Sequence, residues 1–156
     1  LGIVVSCKRA PGGPGAGSQA GGSQQNNTES LDVHIFYYDY SDVYISTVRN
    51  EMDTMLKDMG VNAKSWDAAG SQPSQSDQVN TAITAGADLL IVNIVETSSP
   101  DAAQGICDAA KNTDIPIIFF NREVDNAVVN SYDKCAFVGT NAPDAGHMQG
   151  EMIGNT

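Results

Sequence analysis

The feature that most limits the fold is a regular alternation of apolar runs with segments of helical periodicity, beginning at residue 32. Runs rich in β-branched and aromatic residues predict strands at 33–38, 61–66, 88–95 and 115–120. Apolar residues spaced three or four apart predict helices at 45–59, 74–85 and 99–112. Strands that alternate with helices form right-handed βαβ units. We therefore expect an α/β fold, a Rossmann-like parallel sheet flanked by helices.

The pattern changes after residue 123. A polar loop is predicted over 124–134, a fifth strand over 136–140, and the start of a helix over 144–153. No strand pattern follows that helix before Thr156. The expected organisation is an N-terminal α/β lobe at 31–122, followed at 123–156 by a hinge crossing and the truncated beginning of a C-terminal lobe.

The first thirty residues have a different composition. Residues 10–30 consist mostly of Gly, Ser, Gln, Asn and Pro, which predicts a flexible linker. The preceding apolar residues, Ser6 and Cys7 look like a bacterial lipobox, in which Cys7 would be lipidated. A chance cysteine in a disordered leader is the alternative. We expect a signal remnant and linker at 1–30 and an exported protein, either periplasmic or held at the outer face of the cytoplasmic membrane by a lipid anchor alone.

Charge and cysteine usage exclude several partners. The formal net charge of −11 repels phosphate backbones, so nucleic acid is not an expected partner. No apolar run reaches the roughly 18 residues that a membrane-spanning helix needs. Cys107 and Cys135 show no metal spacing and are expected to be small buried hydrophobes, although a disulfide between them is possible.

Ligands of open parallel sheets bind at the carboxyl ends of the strands. The residues to inspect there are 39–44, 67–71, 93–98 and 121–123. Asp42 and Tyr44 lie in the first of these loops, and Asn93 interrupts an apolar strand. Each has a structural alternative. Asp42 could be a helix N-cap, Tyr44 could pack on the helix face, and Asn93 could make a hydrogen bond to a neighbouring loop.

Enzyme motifs are not found. The sequence has no GxxxxGK[ST], no GxGxxG after the first strand and no nucleophile elbow. Neither His34 nor His147 has a second ligand at metal spacing. We expect a binding protein without a catalytic site, metal or cofactor in this chain.

Several strings together resemble the periplasmic galactose/glucose-binding protein family, a group of type 1 periplasmic binding proteins. The strings lie at 38–44, 74–85, 89–95, 116–123 (PIIFFNRE), 131–134 and 137–140. The resemblance implies two lobes that clamp a pyranose, with a first hinge crossing near 121–123. It implies that Asp42 and Asn93 bind the sugar and that Tyr44 stacks on it, where the family usually has Phe. The family's calcium site and second-lobe ligands would lie beyond Thr156, so we expect the isolated chain to bind sugar poorly.

The resemblance implies a substrate-binding protein that delivers a hexose, D-galactose or D-glucose, to the permease of an ABC importer and could also signal to a chemoreceptor. A sugar-sensing ectodomain that works with a sensor kinase is one alternative. A sugar-responsive repressor shares the fold, but it would carry a basic helix-turn-helix at the N-terminus, which this sequence lacks.

Overall fold

The structure, a computed structural model, describes residues 31–140 together with 147, 150 and 151. In chain order the elements are β1 (Asp32–Tyr37), α1 (Val43–Asp58), β2 (Asn62–Asp67), α2 (Gln72–Ala85), β3 (Leu89–Val92), α3 (Pro100–Asn112), β4 (Ile117–Phe120), α4 (Asn126–Val129) and β5 (Cys135–Val138). The predicted alternation is confirmed. Cys7 and the predicted linker lie outside the described residues. So does most of the helix predicted over 144–153, although 147, 150 and 151 are helical.

All neighbouring strands pair in parallel, in the order β2-β1-β3-β4-β5. The first crossover moves to one side of β1 and the next three move to the other side, which brings helices to both faces of the sheet. The predicted fold class, a Rossmann-like parallel sheet flanked by helices, is confirmed.

The fifth strand is part of this same sheet. Its register with β4 runs from Ile117 opposite Cys135 to Phe120 opposite Val138. The sheet therefore continues past residue 122. The division into lobes at 122–123, with a hinge crossing near 121–123, stays a prediction. The loop predicted over 124–134 also contains a short helix, α4, because Asp125 caps it and Val128 is buried against the core.

Two apolar cores lie on opposite faces of the sheet. Helices α2 and α3 cover the face that carries Phe36, Leu90 and Phe119. Helix α1 contributes Ile45 to the core on the other face. A parallel sheet normally buries both faces, and these two cores contain most of the buried apolar side chains of the described residues.

The α1 face is covered over only part of the sheet. Ile35, Ile91, Ile118 and Ala136 are successive cross-strand partners on this face. Ile35 is 0% exposed and Ile91 is 9% exposed, whereas Ile118 is half-buried and Ala136 is exposed. Among the described residues, α1 therefore covers β1 and β3 on this face but leaves Ile118 of β4 partly and Ala136 of β5 fully uncovered.

Side-chain caps set the helix starts. Asp42, Ser71 and Ser99 each accept a backbone N–H from the first turn of α1, α2 and α3. Because Ser71 is the cap and Pro73 fits the first turn, α2 begins at Gln72, two residues before the predicted start. Within the described part of the chain, none of the helices has the length and apolar character to cross a bilayer.

Candidate functional site

The carboxyl ends of the five parallel strands form one edge of the sheet, here called the strand-end edge. The loop 38–42 follows β1, residues 93–96 follow β3, and residues 121–123 follow β4. Asp42 and Asn93, two of the three residues proposed from the sequence, both hydrogen-bond to Tyr38 at this edge. Tyr44, the third, lies in the first turn of α1.

Asp42 has both carboxylate oxygens oriented by hydrogen bonds. Oδ1 accepts the backbone N–H of Ile45 at 2.8 Å, which makes Asp42 the N-cap of α1. Oδ2 accepts the hydroxyl of Tyr38 at 2.5 Å. The Tyr38 bond, with the Ile45 N–H second, lowers the pKa of Asp42. Asp42 therefore caps α1, as the structural alternative predicted. Its ionised carboxylate still has free lone pairs that can accept hydrogen bonds from a ligand.

Asn93 is fully buried, and the chain itself supplies hydrogen-bond partners for its side chain. Nδ2 donates to the carbonyl of Phe120 at 3.1 Å, and Oδ1 accepts the N–H of Tyr38 at 3.4 Å. Its backbone N–H donates to the carbonyl of Phe36 at 2.8 Å. These bonds join the ends of β1, β3 and β4, so the structural role considered from the sequence is present. A direct contact with sugar stays a prediction.

A second buried amide supports the same loop. Gln75, near the start of α2, is 0% exposed. Its Nε2 donates to the carbonyl of Asn93 at 2.9 Å, and its Oε1 accepts the N–H of Val95 at 3.1 Å. Gln75 therefore holds the backbone after β3 at two points, and both polar atoms of its buried side chain have hydrogen-bond partners.

Two arginines that the sequence reasoning did not assign to the site contact the tyrosines after β1. The guanidinium carbon of Arg122 lies 4.5 Å from the ring centroid of Tyr38, and that of Arg49 lies 3.8 Å from the centroid of Tyr40. The N–H of Tyr40 also donates to Asp67 Oδ1 at 3.1 Å. Arg122 lies in the inspected segment 121–123, but no local pattern in the sequence indicates which ring it contacts.

Tyr44 is 62% exposed and lines a cavity of about 420 Å³ beside α1. Val48 and Met52 of α1 form one wall, and Asn121 and Thr140 lie on the opposite side. Packing on the helix face therefore does not bury the Tyr44 ring. An aromatic face and an amide around one apolar cavity are groups that can hold the C–H face and a hydroxyl of a small polyol.

Asn121 follows β4 directly and has a φ of +65°. A non-glycine residue in the left-handed region costs free energy, and such residues occur often at binding sites. Its backbone N–H donates to the carbonyl of Val138 at 2.9 Å, and its side chain is exposed. Asn121 lies within the segment inspected from the sequence, but its backbone conformation was not predicted.

The strand-end edge is acidic. Hydrogen bonds from Ser41 lower the pKa of Asp39, and those from Ser98 lower the pKa of Glu96. With Asp42 this edge carries three carboxylates whose pKa values are lowered, and the charge of Arg122 contributes to the lowering at Asp42 and Glu96. A neutral, hydroxyl-rich ligand suits this edge better than an anion because carboxylates accept hydrogen bonds from hydroxyls and repel negative charge. Among the described residues, no group of three or more His, Cys, Asp or Glu side chains is arranged to hold a metal ion.

Residues 33–156 match a family model described as a periplasmic binding protein domain. The chain is 32% identical over 122 residues, 78% of its length, to the D-galactose/methyl-galactoside binding periplasmic protein MglB of Haemophilus influenzae. It spans 36% of the length of that relative.

Solved structures share the fold. One from Mycobacterium smegmatis, in complex with β-D-fucofuranose, matches 81% of this chain and 40% of its own, with a TM-score of 0.69 and 23% identity. The fructose binding periplasmic domain of a hybrid two-component system matches 80% of this chain and 39% of its own, with a TM-score of 0.67 and 20% identity. At these identities the likeness is one of fold. The family model covers most of the chain, and this protein therefore belongs to the periplasmic binding protein family.

Proposed function

We propose that this chain carries sugar-binding residues of an exported solute-binding protein that delivers a hexose, D-galactose or D-glucose, to an ABC importer. The observation that carries the proposal is the strand-end edge, where an oriented, ionised Asp42 lies two residues from the exposed ring of Tyr44. Hydrogen bonds that sugar hydroxyls donate to a carboxylate, together with contact with an aromatic face, are the usual means by which proteins hold a pyranose.

Asp42, Tyr44 and Asn93 have distinct proposed roles. Asp42 accepts hydrogen bonds from sugar hydroxyls, and Tyr44 offers its ring face to sugar C–H groups. Asn93 is buried, so its proposed contribution to the sugar requires one of its existing bonds to be shared. We add Asn121 as a fourth residue because its exposed amide lines the same cavity as Tyr44.

Similarity to MglB supports galactose as the first ligand to test. The solved structures support a wider range, since one is a complex with a fucofuranose and another is a fructose binding domain. The acidic edge agrees with an uncharged sugar. A binding protein rather than an enzyme is proposed, with a permease and, as a further partner, a chemoreceptor.

The test is a calorimetric and NMR titration of this chain, and of its complete reading frame, with galactose, glucose, ribose and arabinose. We expect galactose or glucose to bind most tightly, with millimolar affinity for the 156-residue chain because it spans 36% of the length of MglB. Micromolar or tighter binding by the short chain would contradict the two-lobe clamp. Binding of a pentose in preference to both hexoses would contradict the proposed substrate.

Tyr44 offers a matched pair of variants. Tyr44→Ala removes the ring, whereas Tyr44→Phe keeps its face and removes only the hydroxyl. We expect Tyr44→Ala to weaken hexose binding by roughly three- to tenfold and Tyr44→Phe to change it little, because an aromatic contact contributes about 0.5–1.5 kcal/mol. Equal affinities for both variants and the unmodified chain would exclude stacking by Tyr44.

A second function has one specific observation in its favour. The fructose binding periplasmic domain of a hybrid two-component system has nearly the same fold match as the M. smegmatis structure. A sugar-sensing ectodomain coupled to a kinase is therefore the alternative proposal. Deletion of the gene separates the two: loss of sugar uptake supports transport, whereas intact uptake with loss of sugar-dependent transcription supports sensing.

The proposed location follows from the family and from the sequence around Cys7. Periplasmic binding proteins work outside the cytoplasm, and we propose that this protein is exported and held by lipid on Cys7. The anchor is supported by the sequence pattern alone, because Cys7 lies outside the described residues.

A further inference from the structure

Arg122 is held firmly against the end of β3. Its Nη1 donates to the carbonyl oxygen of Ile94 at 3.1 Å and to that of Val95 at 2.7 Å. Both are backbone acceptors in the segment that Gln75 also fixes. The guanidinium is therefore a rigid support, and its position is set by main-chain atoms.

The guanidinium lies against the ring of Tyr38, with its central carbon 4.5 Å from the ring centroid. A planar guanidinium packs well on an aromatic face, and the contact restrains the ring. The backbone N–H of Tyr38 is bound to Asn93, so both ends of this residue are restrained. The direction of the Tyr38 hydroxyl is consequently fixed.

That hydroxyl donates to Asp42 Oδ2 at 2.5 Å. The bond raises the pKa of Tyr38 and lowers that of Asp42, so the proton stays on the phenol and the negative charge on the carboxylate. The other charged groups near Asp42 are Asp39 on the same loop and Arg122 itself, whose charge also lowers the pKa of Asp42. Arg122 forms no ion pair with Asp42 within 4.0 Å among the described residues, so its geometric effect on Asp42 passes through Tyr38.

We propose that Arg122 is a positioning residue that, by stacking on Tyr38, aims the Asp42 carboxylate at the ligand. This inference rests on the proposed sugar site. The three residues come from the ends of β4 and β1 and the start of α1, so the arrangement pre-organises a carboxylate across three elements before a ligand arrives. The alternative is that Arg122 has a structural role alone and only stabilises the backbone after β3 through its hydrogen bonds to Ile94 and Val95.

The experiment has two arms, both on the 156-residue chain and repeated on the complete reading frame. In the first, the Asp42 carboxyl carbon is followed by NMR during an acid titration without sugar. The variants are Tyr38→Phe, Arg122→Gln and Arg122→Lys, with Asp58→Asn at the far end of α1 as a control. We expect the Asp42 pKa to rise in Tyr38→Phe and Arg122→Gln and to stay unchanged in Asp58→Asn.

Arg122→Lys separates aiming from charge. Lysine keeps the positive charge and can bind a carbonyl, but it lacks the planar group that restrains the ring. We expect Arg122→Lys to raise the Asp42 pKa although the positive charge is kept, because the Tyr38 hydroxyl is no longer held toward the carboxylate, and to weaken hexose binding. It should also broaden or shift the Tyr38 ring signals. A role confined to the backbone after β3 would leave those signals and the affinity of Arg122→Lys unchanged, and that result would overturn the proposal.

The second arm measures hexose affinity. We expect Tyr38→Phe and Arg122→Gln each to lose roughly three- to tenfold, and the double variant to lose less than the product because both act on one hydrogen bond. Losses of affinity that multiply in the double variant would contradict the proposal that both residues act through the Tyr38–Asp42 hydrogen bond. If the Asp42 pKa responds as expected while no sugar binds even the complete protein, the positioning of Asp42 stands and the proposed sugar function fails.

Discussion

The side-chain amide of Asn93 donates a hydrogen bond of 3.1 Å to the carbonyl of Phe120 and so joins the end of β3 to the end of β4. The same amide accepts the N–H of Tyr38 and thereby reaches the end of β1. One buried side chain therefore fixes the spacing of three strand ends, and with them the loops that carry Asp42 and Arg122.

Replacing Asn93 with Leu is expected to destabilise the chain. The change keeps the branched shape of the side chain, leaves the Tyr38 N–H without its partner and leaves the Phe120 carbonyl with the Arg122 N–H alone, at a cost of about 1–3 kcal/mol. Urea unfolding followed by circular dichroism measures it. Asn93→Asp is the comparison because it keeps the acceptor for Tyr38, loses the donor to Phe120 and adds a buried negative charge at neutral pH. That variant should be destabilised less at low pH, where the protonated carboxyl group could donate again. Native stability in both variants would show that these bonds contribute little.

Asp42 can be tested for its two roles separately. Asn caps helices as well as Asp does, whereas Ala does not. Asp42→Ala should therefore lower the urea midpoint more than Asp42→Asn, which keeps the cap and loses the carboxylate's bond to the Tyr38 hydroxyl. Hexose affinity should fall in both by roughly ten- to a hundredfold, because each loses a charge-assisted hydrogen bond. A variant Asp42→Asn that binds sugar like the unmodified chain would remove Asp42 from the site.

Acid should weaken the start of α1. The pKa of Asp42 is lowered from 3.8, chiefly by Tyr38, so its contribution to stability is present above 3.8 and lost as pH falls through the lower, folded-state pKa. Unfolding free energies measured from about pH 6 to about pH 2 should therefore fall less steeply in Asp42→Asn and in Tyr38→Phe. Parallel curves for all three proteins would show that the bond has no net effect on folding.

Cys107 and Cys135, two of the three cysteines, are expected to remain unreactive thiols in the folded protein. Cys107 is buried, and burial, followed by the nearby Cys107, raises the pKa of Cys135 to about 12. An aromatic disulfide reagent at about pH 8 should label them slowly in buffer and rapidly in urea. Because the folded pKa lies above the ordinary 9.0, stability should fall as pH rises above 9.0, and less so in Cys135→Ser. Rapid labelling of Cys107 or Cys135 in the folded protein, or a mass two hydrogens lower, would contradict this expectation.

The anchor makes a separate prediction about the precursor in its native host. Cys7→Ser removes the thiol that would be lipidated and should release the protein from the membrane fraction. Immunoblots of membrane and soluble fractions measure the change, with Ser18→Ala in the linker as a control that should stay attached. Membrane retention of the Cys7 variant would exclude the lipid anchor.

The sequence alone was sufficient to predict the alternation of strands and helices, and it offered a helix cap as the structural alternative for Asp42. Both are local properties. A strand pattern depends on side chains two apart, a helix pattern on those three or four apart, and a cap on one residue and the next turn. Neighbouring residues therefore carry that information directly. The family, too, could be identified from short strings, of which 116–123 was the most specific.

Only the tertiary structure decided the rest. The membership of β5 in the first sheet depends on its hydrogen bonds to β4, and the partners of Asn93 lie 27 and 55 positions away in the chain. The stacking of Arg122 on Tyr38 likewise joins residues from the ends of β4 and β1. Such contacts follow from the order in which strands pair and the direction in which each side chain leaves its strand. Local periodicity carries no information about that order, so the sequence indicated which side chains to inspect and the fold determined which of them meet.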